Sequence, residues 1–195
     1  MPHRQNLVLG TVAVLLLVAG CGTTSIKYKS SAVAAPASTA SLSLKVVDQR
    51  PADAGGQDKT RVGSVRGSYG IPSGVNDSNA EVAPQSVTDA TTDALKQAGV
   101  GVQSGRPMTL VATVTQYWMD GMMGYKATIA VQYALQDGAG KTLWSAEVKG
   151  GAGGTNLFRS PTSFTQDMFE NALTDLANRA AEQFNTAAFK KALAA

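Results

Sequence analysis

Alternation of apolar and polar side chains marks out the strands. Residues 41–48 (SLSLKVVD) set Leu42, Leu44 and Val46 against Ser41, Ser43 and Lys45, the period of a half-buried strand. The pattern stops at Gln49-Arg50-Pro51. Residues 60–67 predict a weaker strand, and residues 68–79, with Gly70, Pro72 and Gly74 among Asn and Asp, read as loop. Pro84 suits the first turn of a helix to about Ala98, its stripe being Val87, Ala90, Ala94 and Ala98, with Gly99 as the stop. Residues 107–119 alternate again, placing Leu110, Ala112, Val114 and Trp118 on one face. Residues 125–136 alternate most cleanly: Tyr125, Ala127, Ile129, Val131, Tyr133 and Leu135 oppose Lys126, Thr128, Gln132 and Gln136. After the turn signal Asp137-Gly138-Ala139-Gly140, residues 141–149 complete a three-stranded antiparallel meander with one face polar enough to meet water.

Residues 150–154 (GGAGG) read as a flexible connection to the last element. There Ser163-Phe164-Thr165-Gln166 has the form of a capping box behind Pro161. Phe169, Leu173, Leu176, Ala180, Phe184 and Ala187 recur at steps of three and four, predicting one amphipathic helix of roughly 25–30 residues, or ~40 Å. The expected fold class is α+β: a mostly antiparallel sheet in the order β-β-α-β-β-β-α, with two helices packed on one face.

The first residues carry an address. Residues 1–6 are polar and include Arg4, and residues 7–18 (LVLGTVAVLLLV) form an apolar run shorter than the ~20 residues a membrane span needs. Val18-Ala19-Gly20-Cys21 follows and resembles the bacterial lipobox, in which the Cys thiol receives a diacylglycerol before cleavage in front of it. Residues 1–20 are thus expected to be a lipoprotein signal peptide, and Cys21 the lipidation site. The Ser/Ala/Thr-rich residues 21–40 are expected to be a flexible tether, and residues 41–195 a single domain. Within the tether, Ile26-Lys27-Tyr28-Lys29 alternates and could form a short edge strand. Gly22 stands where enteric-type lipoproteins retained in the inner membrane carry Asp, which implies the outer membrane, facing the periplasm.

Composition narrows the chemistry. A 44% hydrophobic content supports an ordinary core, and a net charge of +3 without a Lys/Arg block gives no reason to expect nucleic acid. One Cys and one His (His3, within the leader) leave no disulfide framework, imidazole metal site or Ser-His pair. The carboxylates are scattered, and neither a Walker motif nor GxGxxG is present. No catalytic residue, metal or cofactor is expected.

Two clusters remain as candidate partner contacts. Asp48 and Arg50 end the first strand, where Arg50 can pair with Asp48 or cap a carbonyl. Met122 and Met123, beside Tyr125 at the expected hairpin tip, could offer an adaptable apolar surface or fold back onto the sheet. The chain also resembles the YajG family of Gram-negative lipoproteins. The resemblance rests on the lipobox, Asp48-Gln49-Arg50, Val62-Gly63, Ala98-Gly99-Val100, the strands at 110–117 and 125–130, Gly140-Lys141 and Asn171-Ala172-Leu173-Thr174-Asp175. Met122-Met123 and residues 150–154 stand outside that pattern. The resemblance implies an outer-membrane lipoprotein without an assigned activity. The expected function is a membrane-anchored, non-catalytic protein that binds another envelope protein. The alternative is a lipid- or small-ligand-binding subunit of an envelope transport system, using room left by Ala90, Ala94, Ala98 and Ala180.

Overall fold

The computed structural model describes residues 23–30, 40–66, 70–121, 124–155 and 161–195. The meander is present: β5 (Thr109–Gly121), β6 (Tyr125–Gln136) and β7 (Thr142–Gly154) pair antiparallel in that order. The rest of the sheet corrects the expected topology. β1 (Ala40–Asp48) pairs parallel with the first half of β5 and with the short β4 (Val100–Val102). β2 (Arg61–Arg66) pairs parallel with the far end of β5 and antiparallel with β3 (Pro72–Asn76). The sheet is therefore mixed and seven-stranded, because α1 (Val82–Gln97) supplies the crossover that parallel partners of β5 require. β6 occupies one edge of β5 along its length, so β1 and β2 share the other edge end to end.

Several local expectations change. β3 lies in the stretch read as loop, held by β2 despite its Pro and Gly. A register shift between Val114 and Gln116 puts a bulge in β5, so Tyr117 and Met119 continue the buried face. Trp118 consequently falls on the opposite face, where the Arg61 guanidinium lies 5.7 Å from its ring centroid. Residues 150–154 are the end of β7 and not a linker. A Cβ on Gly150 would sit 2.3 Å from the Ala172 carbonyl oxygen and 2.6 Å from Leu176 Cβ, so α2 (Pro161–Phe184) lies directly on this strand. Ser163 falls inside the first turn of α2, which opens on Pro161. The single long helix is two: the chain breaks at Asn185-Thr186, and Thr186 caps α3 (Ala187–Leu193) by accepting from the Phe189 N–H. The element order is β-β-β-α-β-β-β-β-α-α.

The core lies between one face of the sheet and the helices. Leu42, Leu110, Val114, Ile129, Val131 and Leu135 meet Ala90, Ala94, Leu95, Leu173 and Leu176, all buried. Tyr117 stacks on Phe169 at 4.7 Å between ring centroids. The Tyr133 ring meets Phe184 edge-on, while its hydroxyl and that of Thr91 lie 2.9 Å apart, so α1 and α2 cover the same face. Burial pushes the pKa of both tyrosine hydroxyls up. The alanines on both helices allow close packing: Ala90, Ala94 and Ala180 are fully buried.

Candidate functional site

Where β5 passes from β1 to β2, its partnered edge has a gap, and Arg50 fills it. Its Nε and Nη2 donate to the Asp48 carboxylate at 3.0 and 2.9 Å. Nη1 donates to the Arg61 carbonyl and Nη2 also to the Lys59 carbonyl, each at 3.1 Å. Lys59 Nζ lies 3.2 Å from the same carboxylate. Burial works against the ionised form of Asp48, but the hydrogen bonds and charge of Arg50, helped by Lys59, hold its pKa below the ordinary 3.8. The loop makes room for the guanidinium at Gly55, whose φ is +91° and where a Cβ would lie 2.4 Å from the Arg61 carbonyl. The Arg50 side chain has 0% exposure and presents no surface to a partner; Asp48 has 10%.

The second cluster lies at the β5–β6 end. Met122 and Met123 lie outside the described residues. Tyr125 is half-buried, its ring edge-on to Phe164 at 4.7 Å. Beside it runs an open groove of about 570 Å³ lined by Asp120, Gly124, Tyr125, Lys126, Gly151, Ala152 and Gly153. A smaller groove of about 310 Å³ follows the outer edge of β7 past Glu147, Lys149, Arg179 and Glu182. That edge is partly closed: the Gly151 N–H donates to Asp175, which Arg179 holds at 2.9 Å. The sheet face opposite the helices carries Val111, Thr113, Gln116, Trp118, Thr128, Gln132 and Ala134, all partly or fully exposed, and no described helix covers it.

The third feature lies at the start of the expected tether, whose residues 31–39 lie outside the described residues. Cys21 lies outside the described residues, but residues 23–30 form a docked strap. The Thr24 N–H donates to the Asn76 carbonyl at 3.0 Å, and the Ser78 N–H to the Thr24 carbonyl at 2.9 Å. The Ile26 N–H donates to the buried Asp77 carboxylate at 2.7 Å, with Ile26 itself only 5% exposed. Tyr28 packs against the core, Lys29 pairs with Glu170 of α2 at 2.9 Å, and the Ser30 hydroxyl bonds to Asp93 of α1. Asp77 also accepts from the Asn79 N–H just before α1. Sequence reasoning missed Asp77; its signal was the Asn76-Asp77-Ser78-Asn79 run, in which the Asp77 and Asn79 side chains accept from the backbone N–H two residues on.

No protein-family model and no curated protein matches the chain. Among solved structures it is similar to protein XCC0632 of Xanthomonas campestris, a DUF330 protein. That likeness has a TM-score of 0.54 and 15% identity, covering 87% of this chain and 94% of the other. A minor lipoprotein of Acinetobacter baumannii gives a TM-score of 0.42 at 12% identity, over 72% of this chain and 91% of its own. Lipoprotein GNA1162 of Neisseria meningitidis gives 0.30 at 18% identity, over 73% and 99%. The first of these likenesses is one of fold.

Proposed function

We propose that this chain is an envelope lipoprotein acylated at Cys21, anchored in the outer membrane and facing the periplasm. It acts without catalysis by binding another envelope protein through the open face of its sheet. The lipobox and the YajG-like pattern support the anchor. The observation that carries the binding role is the one-sided sheet: both long helices cover one face, leaving Trp118 among Thr113, Gln116, Thr128 and Gln132 on the other. Polar side chains around one aromatic offer hydrogen bonds and contact area. The ligand-carrying alternative needs an apolar cavity between helix and sheet, and the described alanines and Gly150 bring α2 into contact with the sheet there.

The test is photo-crosslinking in cells, with a photoreactive residue at Gln132 or Thr128 on the open face and at exposed Asn178 on α2. A discrete crosslinked protein from the sheet positions and none from Asn178 is the expected result. No sheet-specific crosslink would remove the binding role. Intact mass of the membrane-extracted protein, compared with Cys21→Ala, tests the anchor separately.

A further inference from the structure

We propose that the docked strap holds the β3 side of the domain directly against the bilayer that carries the anchor. This rests on acylation of Cys21. The argument is one of chain length. Thr24 is fixed at the edge of β3 by two backbone hydrogen bonds, and Ile26 is fixed by its bond to Asp77. Three residue steps separate Cys21 from Thr24, and three fully extended residues span at most ~10 Å. An acylated Cys21 has its sulfur at the headgroup level, so Thr24, Asn76 and Ser78 lie within about that distance of the membrane surface. A tether of all twenty residues 21–40 would have allowed ~25 Å of random reach and no preferred face.

What lies on this side suits a lipid surface. Lys27 is exposed on the strap itself. Arg66, exposed, pairs with Pro72 at the start of β3. Ile71, immediately before β3, is 65% exposed, which makes it the most exposed large apolar side chain among the described residues. Cations that can meet lipid phosphates and one apolar side chain that can enter the interfacial layer are the chemistry of a peripheral membrane contact. The β6–β7 turn is at the other extreme of the sheet: four strand spacings and about eight residues along β5 place Lys141 roughly 30 Å from Asp77.

The experiment uses the full acylated protein, extracted from membranes and reconstituted into phosphatidylethanolamine/phosphatidylglycerol vesicles containing a headgroup-spin-labelled lipid. A single fluorophore is placed at Ser78→Cys or at Lys141→Cys, both exposed positions. The sulfur of Cys21 is blocked by its thioether, so only the new thiol reacts. Intact mass is read first. An unacylated mass overturns the reading of Cys21, whatever the fluorescence shows. With acylation present, quenching at least twofold stronger at Ser78 than at Lys141 is the expected result, and equal quenching at the two sites overturns the proposal. A third form carries twenty Gly/Ser residues between Gly22 and Thr23, adding ~25 Å of slack. Loss of the difference is expected there. Its persistence would overturn the role given to the strap, because the surface would then be finding the lipid unaided.

Discussion

Arg50 shows how one charged side chain can be part of a fold. Its guanidinium has no exposure, one carboxylate partner and two carbonyl partners at that gap. Arg suits the place because a rigid fork reaches three acceptors in different directions, which an ammonium on a single point cannot. Replacing Arg50 by Met should therefore leave a mostly buried carboxylate with Lys59 as its remaining cation, and two part-buried carbonyls without the donors Arg50 supplies. Urea unfolding is expected to show a loss of about 3–5 kcal/mol, the range for breaking a buried pair from one side. A loss below ~1 kcal/mol would mean that water satisfies the gap as well as Arg50 does. Asp48 makes the same site sensitive to acid. Its folded pKa is depressed, so its contribution is fully present above its ordinary value of 3.8 and is lost as pH falls through the folded pKa. Asp48→Asn should therefore melt below the parent at pH 7, with the two melting temperatures converging as the pH falls below 3.8 and through the folded pKa. A constant gap across that range would remove the charge from the account.

At the scale of elements, Gly150 decides how α2 meets β7. The strand passes so near the Ala172–Leu176 turn that a methyl group has no place. Gly150→Ala should destabilise by about 1–3 kcal/mol through overpacking, which thermal unfolding would register, whereas Gly153→Ala, with only the Tyr125 carbonyl 3.8 Å away, should change little. The same stretch shows what could be read in advance. β6 was legible because every second residue from Ala127 to Leu135 is buried, with Ala130 the one further buried position between them. Trp118 was misplaced because the bulge after Val114 shifts the phase of β5, and a one-residue slip moves a side chain to the other face. β3 was hidden because Pro72 and Gly74 look like loop; only its pairing with β2 makes them a strand. The parallel partners of β5 left no local mark either, since pairing direction is set by the crossover through α1. Arg50 pairing with Asp48 was foreseeable from two residues' spacing, while its bonds to Lys59 and Arg61 depend on how the following loop folds back.

At the scale of the whole molecule, the strap ties the chain's beginning to parts of the domain that are distant in sequence. Asp77 accepts from Ile26 in the strap and from Asn79 ahead of α1, while Glu170 and Asp93 receive the strap's far end. None of these bonds belongs to the β5–β6–β7 meander, so the strap can lift while the sheet stays closed. Asp77→Ala removes the acceptor of the Ile26 N–H and should speed hydrogen exchange there at least tenfold, with the amides of β6 unchanged. If β6 exchanged faster by the same factor, the strap would be one cooperative unit with the sheet, and lifting it would unfold the domain. The distinction reaches back to function. In a domain anchored as proposed, a strap that opens alone would give two states, one pressed to the bilayer and one released to turn the open sheet face toward a partner. A strap that opens only with the sheet gives it one orientation, set when the chain folds.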